Sequence, residues 1–181
     1  MTGLALILAA AGWYTSNIWE DKQAGEQALD LLDKLTEYQP TDTEQGSVSV
    51  IVVDGDAFCG RVIISKLGIE LPVFEEWNDA RLKEAPCRYS GSISTDDMII
   101  AAHNYKSHFG NLKSLQTGDE IVFIDAYGSE HRYEVKELVT LDGSAVTDMK
   151  SGEWDFTLFT CTKGGEQRVT VRCDKISDNE S

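Results

Sequence analysis

The sequence predicts a mainly β domain, a closed or nearly closed barrel of short strands, preceded by an N-terminal helix. Three observations carry this. From Val48 onward, short runs rich in β-branched and aromatic residues dominate the chain. Turn signals such as Tyr127-Gly128-Ser129 and Asp142-Gly143-Ser144 separate them, a spacing that suits a barrel. Before Val48 the apolar residues instead fall at three-to-four spacing, the period of a helix. With 181 residues and 41% hydrophobic content, the chain can bury one good core and is too short for two large domains.

Gly3 to Ala11 is apolar and continues through Trp13, Tyr14, Ile18 and Trp19, with no lysine or arginine before Lys22. As a helix from Gly3 to Trp19 it would extend about 26 Å, just under the roughly 30 Å of a bilayer's hydrocarbon core. Aromatic residues suit the membrane interface, so residues 1–19 are expected to be a membrane anchor or partial signal segment, with a basic flank upstream. Ala9-Ala10-Ala11 is the alternative, a cleavage site, and a buried soluble helix is the plainer reading. Glu20 to Tyr38 continues in helical style through Ala28, Leu31, Leu32 and Leu35. It is expected to be a stalk. Gln39 to Ser47, punctuated by Pro40 and Gly46, reads as a polar linker, so 20–47 joins the anchor to a catalytic domain over 48–181.

Within that domain the expected strands are Val48 to Val53, Arg61 to Leu67, Met98 to Ala102, Glu120 to Asp125, His131 to Leu138, Phe156 to Thr160 and Arg168 to Cys173. One short helix, Asn78 to Glu84, interrupts them. The loop from Thr162 to Gln167 carries paired glycines and is expected to flex beside the last strand. The tail from Asp174 is polar.

Composition narrows the chemistry. Asp and Glu number 31 against 16 Lys and Arg, which argues against a broad basic face for nucleic-acid phosphates. The scattered acids read as a solvated surface. Cys59, Cys87, Cys161 and Cys173 form no C-x-x-C pair, and His103, His108 and His131 do not join them at zinc-ligand spacing. A structural zinc is therefore not expected. Cys59, Cys87 and Cys173 read as small core hydrophobes, His108 as a loop residue and His131 as an exposed strand residue.

Cys161 stands apart because of its surroundings. Thr157-Leu158-Phe159-Thr160-Cys161 is a strand-like run ending in a thiol, and the alternating Arg168-Val169-Thr170-Val171-Arg172 follows after a short gap, so the two read as a hairpin. If Cys161 and Arg168 lie opposite one another, period-two geometry puts Thr157, Phe159 and Cys161 on the face of Arg168, Thr170 and Arg172. A guanidinium there favours thiolate over thiol and can stabilise an oxyanion. Upstream, Met98 to Ala102 is a buried-looking strand that ends at His103, a proton carrier at a strand mouth. Taken alone, Cys161 reads as an inert core thiol and His103 as a satisfied core histidine. Arg172 reads as a side chain that snorkels to solvent.

These residues carry a resemblance. Thr-Leu-x-Thr-Cys, an arginine on the following strand and an upstream strand-end histidine resemble the sortase family of Gram-positive cell-surface cysteine transpeptidases. Ser65 to Phe74 is similar to that family's first-strand signature, and Asn111-Leu112 through Gly118 to Ile121 to its post-histidine stretch; the likeness covers roughly Gly60 to Lys175. Ile64-Ser65-Lys66 stands where the family usually has Ile-Pro-Lys. The resemblance implies a barrel of about eight strands with small peripheral helices. It implies Cys161, His103 and Arg168 as the catalytic set, with Thr160 helping the oxyanion through hydroxyl or backbone, and Asn104 and Tyr105 lining the groove. It further implies cleavage of a C-terminal sorting signal of the Leu-Pro-x-Thr-Gly type on surface proteins. The acyl product would pass to an amine of a peptidoglycan precursor, by an extracellular domain anchored at its N-terminus. The chemistry demands no metal or organic cofactor; some relatives use calcium, and no loop here has EF-hand-like spacing.

Three alternatives stay open. A pilin-polymerising member would use a pilin lysine as acceptor. Such enzymes often carry an Asp-Pro-aromatic lid, and Asp56-Ala57-Phe58 lacks its proline and lies next to the first strand. With a polar C-terminal tail as well, a housekeeping or specialised anchoring role is favoured. The other two are a non-catalytic, membrane-tethered peptide-binding barrel and an ordinary cysteine protease.

Overall fold

A computed structural model describes residues 2–37, 50–149 and 154–177, with the side chains of the first helix from residue 15. Helix α1 (Thr2–Glu37) runs unbroken through both the expected anchor and the expected stalk, a length of about 54 Å. Among the described residues no helix is long and apolar enough to cross a membrane. The second half of α1 lies on the barrel rather than away from it. Ala24, Ala28 and Leu35 are buried, and their spacing of four and seven residues keeps them on one stripe. The linker expected at 39–47 lies outside the described residues.

Strands β1 (Ile51–Val53) and β2 (Asp56–Ile64) form a hairpin. Asp54 and Gly55, both at positive φ, make its two-residue turn, the backbone that matches strand twist. A 3-10 turn at Ser65–Leu67 leads through Gly68, at φ 65°, into β3 (Ile69–Phe74). Then come α2 (Arg81–Glu84), β4 (Cys87–Ser90), β5 (Met98–Ala102), β6 (Glu120–Asp125), β7 (Glu130–Asp142), α3 (Val146–Met149), β8 (Phe156–Cys161) and β9 (Gln167–Lys175). Around the sheet the order is β1-β2-β3-β4-β5-β8-β9-β7-β6, and β6 pairs back onto β2 through Gly60–Ile63 against Val122–Asp125. That pairing closes β2 to β9, eight strands, into a barrel, with β1 as an extra edge strand.

The expected strands Met98–Ala102 and Glu120–Asp125 are β5 and β6 to the residue. Three differences have physical reasons. Ser65–Leu67 turns away as a 3-10 segment because the chain must reverse into β3. β3 escapes the expected list because Pro72 interrupts it; Pro72 faces Arg61 of β2, while β3 meets β4 only at Phe74 and Cys87, so its missing N–H costs no bond there. β4 has no clean alternation, since only Cys87 is buried.

The core fills the barrel: Val62, Ile64, Met98, Ile100, Tyr133, Phe156, Leu158 and Val171 are all but inaccessible. Each such aliphatic or aromatic side chain contributes about 2–3 kcal/mol by burial. A second cluster, Leu35, Ile51, Phe58, Phe74 and Cys87, seals α1 against the hairpin, with Phe58 and Phe74 stacked at 4.6 Å. Asp56-Ala57-Phe58 is thus the start of β2, held by the Arg81–Asp56 ion pair at 2.7 Å and by burial of Phe58. A third cluster, Ile99, Ala101, Phe159 and Met149, lies outside the barrel wall on β5 and β8.

Candidate active site

β5 and β8 run parallel with Ala102 beside Thr160, so the residues that follow, His103 and Cys161, emerge side by side. Adjacent strands lie about 4.8 Å apart. β8 and β9 are antiparallel with Cys161 opposite Arg168, Phe159 opposite Thr170 and Thr157 opposite Arg172. Inward residues of β8, Phe156 and Leu158, belong to the barrel core, whereas Phe159, Ile99 and Ala101 belong to the outer cluster. Cys161 and His103 share that outer parity. Three neighbouring strand mouths therefore present a thiol, an imidazole and a guanidinium on one outer face, above an apolar floor of Ile99, Ala101 and Phe159 edged by Tyr89, Leu82, Leu141 and Met149.

All four cysteines are free, and Cys161 alone among them is partly exposed. Burial pushes the Cys87 thiol up to about 12 and drives those of Cys59 and Cys173 up as well, so these three stay protonated and inert. Cys173 faces the core opposite Phe156, away from Cys161.

His103 is held below its ordinary range, first by burial and then by the Lys83 ammonium; Asp79 and Glu20 pull the other way. Tyr105 lies against His103 at 5.1 Å between ring centroids and against His108 at 5.5 Å. Asn104 and Tyr105 are partly exposed beside the histidine. Arg168 folds its guanidinium back onto its own turn, donating from Nη1 to the carbonyls of Gly165 at 3.0 Å and Gln167 at 3.4 Å. Gly164 and Gly165 occupy positive φ there, which only glycine adopts without strain.

Thr160 is 3% exposed and its hydroxyl donates to the Ala102 carbonyl at 2.8 Å. That bond ties the residue before the thiol to the residue before the imidazole. Arg172 does not snorkel: Nη1 donates to Glu137 at 2.7 Å, Nη2 to the Asp148 carbonyl at 2.7 Å, and the guanidinium lies over Trp154. Nor is His108 a plain loop residue. It is fully buried where α1, α2 and the 103–110 loop meet, and burial lowers it to about 4 against the weaker opposing pull of the Ala24 and Glu84 backbone. His131 is half-buried and bonded to Asp125 at 2.8 Å. These corrections share a cause. The side chains sit under α1, α3 or a turn whose packing no strand pattern encodes.

A cleft of about 540 Å³ opens at the far ends of β5 and β9, between Met98, Asp125, His131 and Lys175. Its polar groups already pair, Arg88 with Glu75, His131 with Asp125 and Lys175 with Asp96, and it lies away from Cys161. Among the described residues no group of three or more His, Cys, Asp or Glu side chains could hold a metal ion.

Residues 62–176 match the family model described as Sortase domain. Among solved structures, the chain is similar to sortase D5 of Clostridium perfringens, a transpeptidase, with TM-score 0.64 at 20% identity over 84% of this chain and 97% of that one. It is similar to sortase C1 of Streptococcus agalactiae, with TM-score 0.62 at 22% identity over 92% and 91%. Sortase C of C. perfringens SM101 gives TM-score 0.58 at 20% identity over 84% and 90%. No curated protein matches the chain.

Proposed function

Because this chain belongs to the sortase family of cysteine transpeptidases, we propose that Cys161 is its nucleophile, His103 its proton carrier and Arg168 its oxyanion cation. The observation that supports this reading is the shared outer face of the β5, β8 and β9 mouths, which sets the three residues side by side. The Cys161 thiolate attacks the scissile carbonyl carbon of an extended peptide lying on the Ile99–Phe159 floor. The carbonyl π electrons move to oxygen, where the guanidinium of Arg168 swings off its turn to meet the oxyanion. Collapse breaks the C–N bond as the His103 imidazolium delivers a proton to the leaving amine, and a thioester remains on Cys161. An incoming amine then attacks the thioester, loses its proton to His103 and releases the thiolate. Imidazolium is the form needed first, although the surroundings of His103 favour the neutral ring. The competent fraction is accordingly small at neutral pH.

The substrate in this proposal is a C-terminal sorting signal of the Leu-Pro-x-Thr-Gly type on a surface protein. The acceptor is an amine of a peptidoglycan precursor or, in a pilin-polymerising enzyme, a pilin lysine. Residues 1–19 serve as membrane anchor, and the catalytic unit, 48–181, lies outside the cell. Since α1 is continuous from Thr2 to Glu37, that anchor would hold the site close to the membrane surface. A panel of sorting-signal peptides tests the reading, with and without an amine, using wild type, C161A and H103A. An amine-linked product that vanishes in both variants supports it. Hydrolysis at the same rate with or without amine indicates a protease, and an intact peptide with an unreactive Cys161 indicates a binding domain.

A further inference from the structure

We propose that the Asp21–Ser107 contact makes α1 a positioning element of the active site, holding the loop that carries His103 in register with Cys161. The inference rests on the catalytic reading of His103 and Cys161 given above. Ser107 N–H donates to Asp21 Oδ1 at 3.0 Å, and the Ser107 hydroxyl lies 2.8 Å from the same oxygen and 3.0 Å from the Asp21 carbonyl. The partners are 86 residues apart and partly buried. One turn further along α1, a Cβ on Gly25 would come within 3.0 Å of Ser107 Cβ. Flanking it, Ala24 and Ala28 are 2% and 1% exposed. Asp21, Ala24, Gly25 and Ala28 share one helix face, and the three small residues let that face approach the loop closely enough for the carboxylate to bond.

The loop is built to pass such a restraint on. Phe109 N–H donates to the His103 carbonyl at 3.3 Å, while His108 and Gly110 N–H both donate to the Tyr105 carbonyl, at 3.0 and 2.8 Å. A Cβ on Gly110 would meet the Asn104 carbonyl oxygen at 2.5 Å, so the turn has no slack. Only three residues lie between His103 and Ser107, and the Tyr105 ring among them touches the rings of His103 and His108 at 5.1 and 5.5 Å between centroids. Asp21 acts by position rather than by charge: the charged groups facing His103 are Lys83, Asp79 and Glu20. The Asp21–Ala28 stretch of α1 thus supports the catalytic unit from outside it, and a chain cut at the linker would lose that support.

The test uses the full chain and four variants, D21A, D21N, S107A and D21A/S107A, with active sites counted by Cys161 alkylation. Transfer of a sorting-signal peptide to an amine gives kcat and KM, and NMR follows the His103 ring. D21A is expected to lower kcat about tenfold, the scale of a sub-ångström misplacement, with KM within about twofold. D21N keeps an Oδ1 acceptor and recovers most of the loss; the double variant falls at or slightly below D21A, because after D21A only the Ser107 hydroxyl bond to the Asp21 carbonyl remains to be lost. The His103 ring signal moves in D21A and returns in D21N. If D21A does not fold, S107A and D21N carry the comparison through the same kcat and NMR readouts. Wild-type kcat in D21A, or a loss that D21N shares in full, overturns the proposal. A wild-type chain without Cys161-dependent product overturns the catalytic reading itself, a failure distinct from an active wild type with an equally active D21A.

Discussion

Replacing Thr160 by valine removes one hydroxyl and little volume, so its effect isolates the tie between the strands that deliver the Cys161 thiol and the His103 imidazole. The hydroxyl donates to the Ala102 carbonyl at 2.8 Å from a side chain that is 3% exposed. A neutral bond of this kind contributes about 1 kcal/mol, and leaving its buried acceptor short of a partner adds to the cost, for about 1.5 kcal/mol in all. In a chain of this size that lowers Tm by about 3–6 °C. The catalytic cost is separate. Loosening the β5–β8 mouth by a few tenths of an ångström should lower kcat about tenfold with little change in KM, and T160S, which keeps the donor, should recover both. The assay pairs denaturant unfolding with steady-state transpeptidation and with the pH dependence of Cys161 alkylation. Alkylation passes through no tetrahedral oxyanion, so a changed alkylation profile in T160V reports geometry. A T160V chain that turns over slowly but alkylates like wild type refutes the tie and makes Thr160 an oxyanion donor instead.

In the folded chain a thiol-specific reagent should modify Cys161 alone, one equivalent per chain by mass, with Cys59, Cys87 and Cys173 reacting only after unfolding, since burial raises their thiols. Lys83→Met removes a cation that lowers His103; the imidazolium then persists to higher pH, and the alkaline limb of the pH–rate profile moves upward, whereas Glu20→Gln moves it down. His108 is neutral and buried when folded, at about 4 against its ordinary 6.5. The unfolded chain therefore binds the extra proton between those values, and stability should fall by about 3 kcal/mol as pH drops from 6.5 to 4. Urea midpoints measure this, and His108→Leu should flatten the slope. Gly60→Ala should cost more than about 3 kcal/mol: Gly60 sits at φ 150° and a Cβ would meet the Ile124 carbonyl oxygen at 2.2 Å, at the seam where β6 closes the barrel.

The barrel was legible where a strand alternates or is apolar throughout: β6 buries one face more than the other, whereas β5 is buried on both and reads as one unbroken apolar run. β5 and β6 announce themselves by Met98-Ile99-Ile100-Ala101-Ala102 and Ile121-Val122-Phe123-Ile124; the hairpin was readable too, but the direct Cys161–Arg168 register entered only as a condition, and it is the register found. Closure was not legible as such, because β6 meets β2 across about sixty residues and no local pattern marks that pairing. The docked half of α1 was readable as a helix but not as a partner of the site. The stretch that meets the 103–110 loop is made of Ala24, Gly25 and Ala28, which carry little hydrophobic signal, and its key polar residue, Asp21, looks like one surface acid among many. The surroundings of His103 escaped for the same reason: Glu20, Asp79 and Lys83 come from two other segments.

If Cys161 is the nucleophile, it carries the acyl group during turnover. Intact-mass spectrometry of the full chain, quenched in acid during turnover of a sorting-signal peptide without amine, tests it most directly. The expected result is a mass increase equal to the peptide's acyl fragment, mapped to the Thr157–Cys161 strand, absent in C161A and discharged on adding an amine. An acyl adduct on another residue, or cleavage that proceeds undiminished in C161A, would contradict it.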